Sequence, residues 1–155
     1  MKAMNGTTVL FVEDDPVVLT AYGNRLRQEG FQVEPAHDGL EALKLLSVLA
    51  PDVVILDLVL PKFNGEDVLK FIHKQPRLHQ IPVIILSTTS ADISAEPILE
   101  RAQRQFLKET CNFPMLLRAI QEVLSGTPPP PEEEDLFFLM RLPDGKLVRF
   151  DPAAF

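Results

Sequence analysis

Apolar and polar positions along the chain fall into short apolar runs, each followed by a stretch with helical spacing. Val9 to Val12 is a first apolar run ending in Glu13-Asp14-Asp15, and Pro16 then opens an amphipathic stretch to Glu29 and Gly30. That is the pattern of strand, cap, helix and stop. Phe31 to Pro35 predicts a second strand, and Asp38 with Glu41 three residues on makes a capping-box-like start for a helix to about Leu49. Pro51-Asp52 precede Val53-Val54-Ile55-Leu56-Asp57. This run is β-branched and lacks polar alternation, as expected of a central parallel strand covered on both faces. A loop with Pro61 and Gly65 leads into a helix ending near Lys74, and Ile81 to Leu86 predicts a fourth strand. Ser90 to about Arg104 predicts a fourth helix weakened by Pro97, and Gln105 to Lys108 a fifth strand. Asn112 and Pro114 start a last helix that stops at Ser125-Gly126.

Five strands alternating with five helices imply an α/β fold, a doubly wound five-stranded parallel sheet with right-handed crossovers. Ligands then sit beyond the carboxyl ends of the strands. That edge collects the polar groups: Glu13-Asp14 after the first strand, Asp57 at the third, Ser87 at the fourth and Lys108 at the fifth. Three acids in one crevice repel one another unless a cation neutralises them. A hard divalent ion with oxygen ligands answers this, and magnesium fits best because it binds through one or two carboxylates and leaves positions open for phosphate oxygens. His37, His73 and His79 are dispersed and Cys111 is the sole cysteine, so nothing suggests zinc. A carboxylate beside such an ion can attack phosphorus, with Ser87 and Lys108 as donors to the transferred oxygens.

Composition changes this picture little and excludes much. At 155 residues and 46% apolar, the chain suffices for one core plus an appendage. A formal charge of −7 argues against nucleic-acid or anionic-membrane partners, which need a basic patch. The single cysteine fits a reducing compartment, Met1 to Thr8 lacks a signal-peptide apolar core, and no apolar run is long enough to span a bilayer. The expected location is cytoplasmic.

The boundaries read as a globular domain over 1–126, a proline-rich acidic linker over 127–135 and a β-hairpin arm over 136–155. Leu136 to Arg141 and Lys146 to Phe150 flank Leu142-Pro143-Asp144-Gly145, a turn sequence. The hairpin reads as apolar on both faces. A lone hairpin of that kind is marginal in water, and the stiff linker favours its exchange between subunits of a homodimer through the last helix and the arm.

These residues resemble the receiver domains of bacterial two-component response regulators from about Thr8 to Leu124. Val9 to Pro16 looks like the family's acidic first-strand motif, Asp57 to Gly65 its phosphoacceptor loop, Ile81 to Ser87 its fourth strand, and Phe106-Leu107-Lys108 its fifth. The resemblance implies a flavodoxin-like sheet of strand order 2-1-3-4-5 and a phosphorelay role, without a DNA-binding output domain. It also implies that Asp57 accepts a phosphoryl group from a sensor histidine kinase. Magnesium would be bound by Asp14, Asp57 and the Val59 carbonyl directly and by Glu13 through water, while Ser87 and Lys108 hold the phosphate. Extended single-domain receivers of this appearance resemble those paired with bacterial phytochrome kinases. Two positions depart from the family: Glu109 follows Lys108 where proline is usual, and Gln105 occupies the place of the switch aromatic, with Phe106 one residue later on the opposite strand face.

Rival readings are an aspartate-nucleophile phosphatase, which would place an acid where Val59 stands, and a receiver-like interaction module that does not switch. A flavin carrier would need a Gly/Ser/Thr-rich cradle in place of the acids. The expectation is a phosphoryl acceptor, not an enzyme.

Overall fold

The computed structural model describes residues 6–87, 104–108, 111–126, 138–141 and 147–150, with backbone alone for Ser87 and the last two stretches. Five parallel strands, β1 (Thr8–Val12), β2 (Gln32–Ala36), β3 (Val53–Asp57), β4 (Val83–Ser87) and β5 (Arg104–Leu107), lie in the order β2-β1-β3-β4-β5. Four helices are described: α1 (Pro16–Gln28), α2 (Gly39–Val48), α3 (Gly65–Lys74) and α4 (Phe113–Ser125). None of them is long and apolar enough to cross a membrane. The fourth helix expected from Ser90 falls on 88–103, outside the described residues. Its expected end is corrected, because Arg104 belongs to β5, in register with Ile84.

Strand alternation divides the core. Leu10, Val12, Val54, Leu56, Val83 and Ile85 face α2 and α3, packing on Ala42, Leu46, Val68 and Ile72. Val9, Phe11, Val53, Ile55, Ile84 and Leu86 face α1 and α4, packing on Leu19, Leu26, Leu116 and Ile120. Because β3 is covered on both sides, every one of its residues is buried. Pro35 is tolerated in β2 because β2 is an edge strand.

The helices start where the sequence supplies caps. Asp15, Asp38, Asn64 and Asn112 each accept a backbone N–H at an N-terminus. Gly126, at φ 74°, ends α4 in the left-handed conformation glycine favours. On the α1 side, Tyr22 stacks on Phe113 with centroids 6.1 Å apart and lies 6.5 Å from Phe11, while the Arg25 guanidinium sits 4.0 Å above the Phe113 ring.

The arm forms a two-stranded antiparallel sheet, β6 (Phe138–Arg141) with β7 (Leu147–Phe150). Its register corrects one expectation. Phe138 pairs with Phe150 and Met140 with Val148, so these four share one wholly apolar face. Leu139 pairs with Arg149 and Arg141 with Leu147, so the other face mixes two leucines with two arginines. The expected turn over 142–145 and the linker lie outside the described residues.

Candidate functional site

Glu13, Asp57 and Lys108 reach one another because each continues the alternation that faces α1 and α4, one step beyond Phe11, Ile55 and Phe106. Glu13 is fully buried and Asp57 almost so. The Glu13 N–H donates to Ala36 O at 3.0 Å, and its Oε1 accepts the Asp15 N–H at 3.2 Å. Asp57 Oδ1 accepts the Val59 N–H at 3.1 Å. Lys108 Nζ lies between the acids, 2.6 Å from Asp57 Oδ2, 3.0 Å from Glu13 Oε1 and 2.9 Å from Glu13 Oε2. Asp14 stands at the exposed rim, and one carboxylate oxygen from each of Glu13, Asp14 and Asp57 falls within 4.8 Å of the others.

The electrostatics follow from that burial. Desolvation pushes the Glu13 carboxyl up to about 7; the Lys108 ammonium pulls it down and the Asp57 charge adds to the rise. For Lys108, burial acts to lower the pKa, yet its bonds to Asp57 and Glu13 outweigh this and raise it.

The donor set suits a hard divalent cation. Glu13 Oε2 is buried without a hydrogen-bond partner, since its close approach to Lys108 is an ion pair without hydrogen-bond alignment. With one oxygen of each acid within 4.8 Å of the others, the three carboxylates stand close enough to share a single small divalent ion, directly or through its water.

The loop from Leu58 to Asn64, which follows Asp57, is held by two glycines. A Cβ on Gly65 would lie 2.2 Å from Asp57 O, and the Gly65 N–H donates to Leu58 O at 3.0 Å. A Cβ on Gly39 would lie 1.7 Å from Phe63 O and 2.6 Å from Lys62 O, and the Gly39 N–H donates to Pro61 O at 3.3 Å. Between these anchors Lys62 and Phe63 take left-handed φ values of 46° and 59°.

The structure thus brings together Glu13, Asp14, Asp57 and Lys108. Val59 enters through its amide on Asp57. Ser87 ends β4 opposite Leu107 in β5, at the same sheet edge. Phe106 packs with the α1 and α4 cluster, and Gln105, its neighbour in β5, lies on the opposite strand face. Glu109 lies outside the described residues, and with it the geometry of the Lys108–Glu109 peptide. Sequence reasoning missed Gly39; a poor helix former directly after the Asp38 cap was the available signal.

Comparison with known proteins agrees with this geometry. The response regulator receiver domain family matches residues 9–121, and the chain belongs to that family. It is 34% identical over 116 residues to the transcriptional regulatory protein CpxR of Escherichia coli, covering 75% of this chain and 48% of CpxR. It is 30% identical over 118 residues to protein PilH of Pseudomonas aeruginosa, covering 76% of this chain and 98% of PilH. The chain spans about half the length of the first curated relatives it matches. Among solved structures, the receiver domain of the Pseudomonas aeruginosa sensor histidine kinase PA1611, with magnesium in its active-site cleft, superposes with a TM-score of 0.70 at 26% identity, covering 77% of this chain and 98% of that one. The bacteriophytochrome response regulator AtBRR superposes with a TM-score of 0.63 at 31% identity, covering 75% and 91%. The chain is therefore a receiver domain of the two-component phosphorelay type.

Proposed function

We propose that Asp57 accepts a phosphoryl group from a sensor histidine kinase in a magnesium-dependent reaction. The observation that carries this reading is the meeting of Glu13, Asp14 and Asp57 at the carboxyl edge of the sheet, with the Lys108 ammonium against Glu13 and Asp57. In the transfer, an Asp57 carboxylate oxygen bonds to phosphorus as the donor's P–N bond breaks, its electron pair staying on the ring nitrogen, and the imidazole, already protonated on its other nitrogen, leaves neutral. The Val59 amide orients Asp57 through Oδ1, and Lys108 exchanges its bond to Oδ2 for one to a phosphoryl oxygen. Ser87 is the second donor to the phosphate by its place at the end of β4. Asp14, Asp57 and the Val59 carbonyl would hold magnesium directly and Glu13 through water; bound there, the ion would neutralise the acids and the phosphoryl charge.

The likeness to a bacteriophytochrome response regulator supports a phytochrome kinase as donor. The wholly apolar face of the β6–β7 arm supports a homodimer formed through α4 and the arm. The role is a signalling acceptor in the cytoplasm, not a turnover enzyme.

The test is mass measurement after incubation with magnesium and a small phosphoryl donor. One added phosphoryl group on wild type and none on Asp57→Asn is the expected result; no addition to wild type overturns the reading. Phosphorylation that leaves self-association unchanged favours the non-switching module, which Gln105 in place of an aromatic keeps in view.

A further inference from the structure

We propose that Gly39, at the start of α2, is a positioning residue for the acid pocket: it seats the Pro61–Phe63 stretch of the acceptor loop on α2, so that occupancy of the pocket and the placement of the α2 N-terminus are coupled. The inference rests on the reading of Glu13, Asp14 and Asp57 as a metal and phosphoryl site.

Four observations carry it. The Gly39 amide donates to Pro61 O, and a Cβ at Gly39 would overlap Phe63 O at 1.7 Å, so α2 and the loop backbone touch with no room between them. Gly39 is not in a left-handed conformation, so space, not backbone freedom, is what requires glycine there. Lys62 and Phe63 carry left-handed φ values, an uncommon pair for residues with side chains, and the seat on α2 is what maintains them. The same loop is tied at its start to the Asp57 carboxylate through the Val59 amide and at its end to the Asp57 carbonyl through the close approach of Gly65. A change in the charge and ligands around Asp57 therefore moves a short segment whose middle is wedged against α2. Coupling of this kind is reciprocal, so pressure on the α2 N-terminus alters affinity at the pocket. Lys62 Nζ, 3.7 Å from Asp38 Oδ2, adds an exposed and minor contact across the same seam.

The test is a titration of the isotope-labelled full chain with magnesium, then with magnesium and beryllofluoride, followed by the amide resonances of Val59, Gly39 and Leu49. Val59 reports occupancy of the pocket, Gly39 the seat, and Leu49 the far end of α2. The expected result is that Gly39 shifts with the same midpoint as Val59 while Leu49 stays still. Movement of Val59 with Gly39 unmoved overturns the proposal. Silence at Val59 as well overturns the phosphoacceptor reading, and this one with it.

Gly39→Ala adds the overlapping atom, and Lys44→Gly weakens the same helix at an exposed position away from the loop. Magnesium affinity at least fivefold weaker in Gly39→Ala, with Lys44→Gly within twofold of wild type, is expected. Equal weakening in both shows a merely structural role and overturns the proposal. Should Gly39→Ala fail to fold, the wild-type titration still decides.

Discussion

Lys108 Nζ stands 2.6 Å from Asp57 Oδ2 and closes on both carboxylate oxygens of Glu13, so one ammonium offsets two buried acids. Removing it leaves like charges facing each other in a low-dielectric site. Lys108→Met should lower stability in a metal-free buffer by about 3 kcal/mol, near the low end for a broken buried pair. Excess magnesium should restore more of that loss than it adds to wild type. Urea unfolding of both proteins with and without the ion measures this; identical midpoints would contradict it.

Glu13 makes stability depend on pH in a stated direction. Its folded pKa of about 7 exceeds the ordinary 4.5, so the folded protein binds the proton more tightly than the unfolded chain. Stability from this group is therefore fully present below about 4.5, falls as pH rises to about 7, and stays low above, a loss on the order of 3 kcal/mol. Lys108 acts in the same direction in a separate, more alkaline window: its raised pKa gives stability that is fully present below 10.5 and lost as pH rises above it. Asp38, held below the usual value by the Glu41 amide, has the opposite sign: its contribution is present above 3.8 and is lost as pH falls below that value. Glu13→Gln should flatten the curve between pH 5 and 8 in metal-free denaturation experiments.

Gly65→Ala places a methyl group 2.2 Å from Asp57 O, against backbone that cannot step aside. We expect a loss of roughly 2 kcal/mol or more, from overpacking, and slowed phosphorylation of Asp57. Gly126→Ala meets open space but a φ of 74°, so it should cost only about 1 kcal/mol and spare phosphorylation. Thermal melts paired with intact-mass time courses separate the two.

Arg77 donates to Leu49 O at 2.9 Å and also to Leu46 O, covering carbonyls at the end of α2 that the helix itself leaves unmatched. Arg77→Met should cost about 1–2 kcal/mol in urea unfolding while leaving the phosphorylation rate within twofold.

A chain ending at Gly126 should be monomeric by light scattering where the full chain is a dimer, because it lacks the face that groups Phe138, Met140, Val148 and Phe150. Equal monomeric mass for both would remove the arm from any role in association.

Much of this fold was legible because β3 and β4 carry unbroken apolar runs that only a doubly covered sheet accommodates, and because Asp15, Asp38, Asn64 and Asn112 mark helix starts by their chemistry. The site was legible because Asp57 ends a strand and Glu13 and Lys108 each directly follow one. What periodicity misses is contact between backbones. Nothing in the spacing of Gly39 and Phe63 says that one must lack a Cβ for the other to lie beside it. Strand register is similarly silent in sequence: the hairpin looked apolar throughout until Leu139 was paired with Arg149 and Arg141 with Leu147. The end of the predicted fourth helix slipped because Arg104 is a good helix former, yet pairing with Ile84 puts it in β5.

The stack of Tyr22 on Phe113 has a practical consequence. The chain has one tyrosine and no tryptophan, and its ten phenylalanines absorb only at shorter wavelength, so the long-wavelength edge of its near-ultraviolet absorbance, and the emission excited there, come from a ring lodged between β1 and the first turn of α4. Tyrosine emission or near-ultraviolet dichroism therefore reads the docking of α4 directly, on the unlabelled protein and in real time.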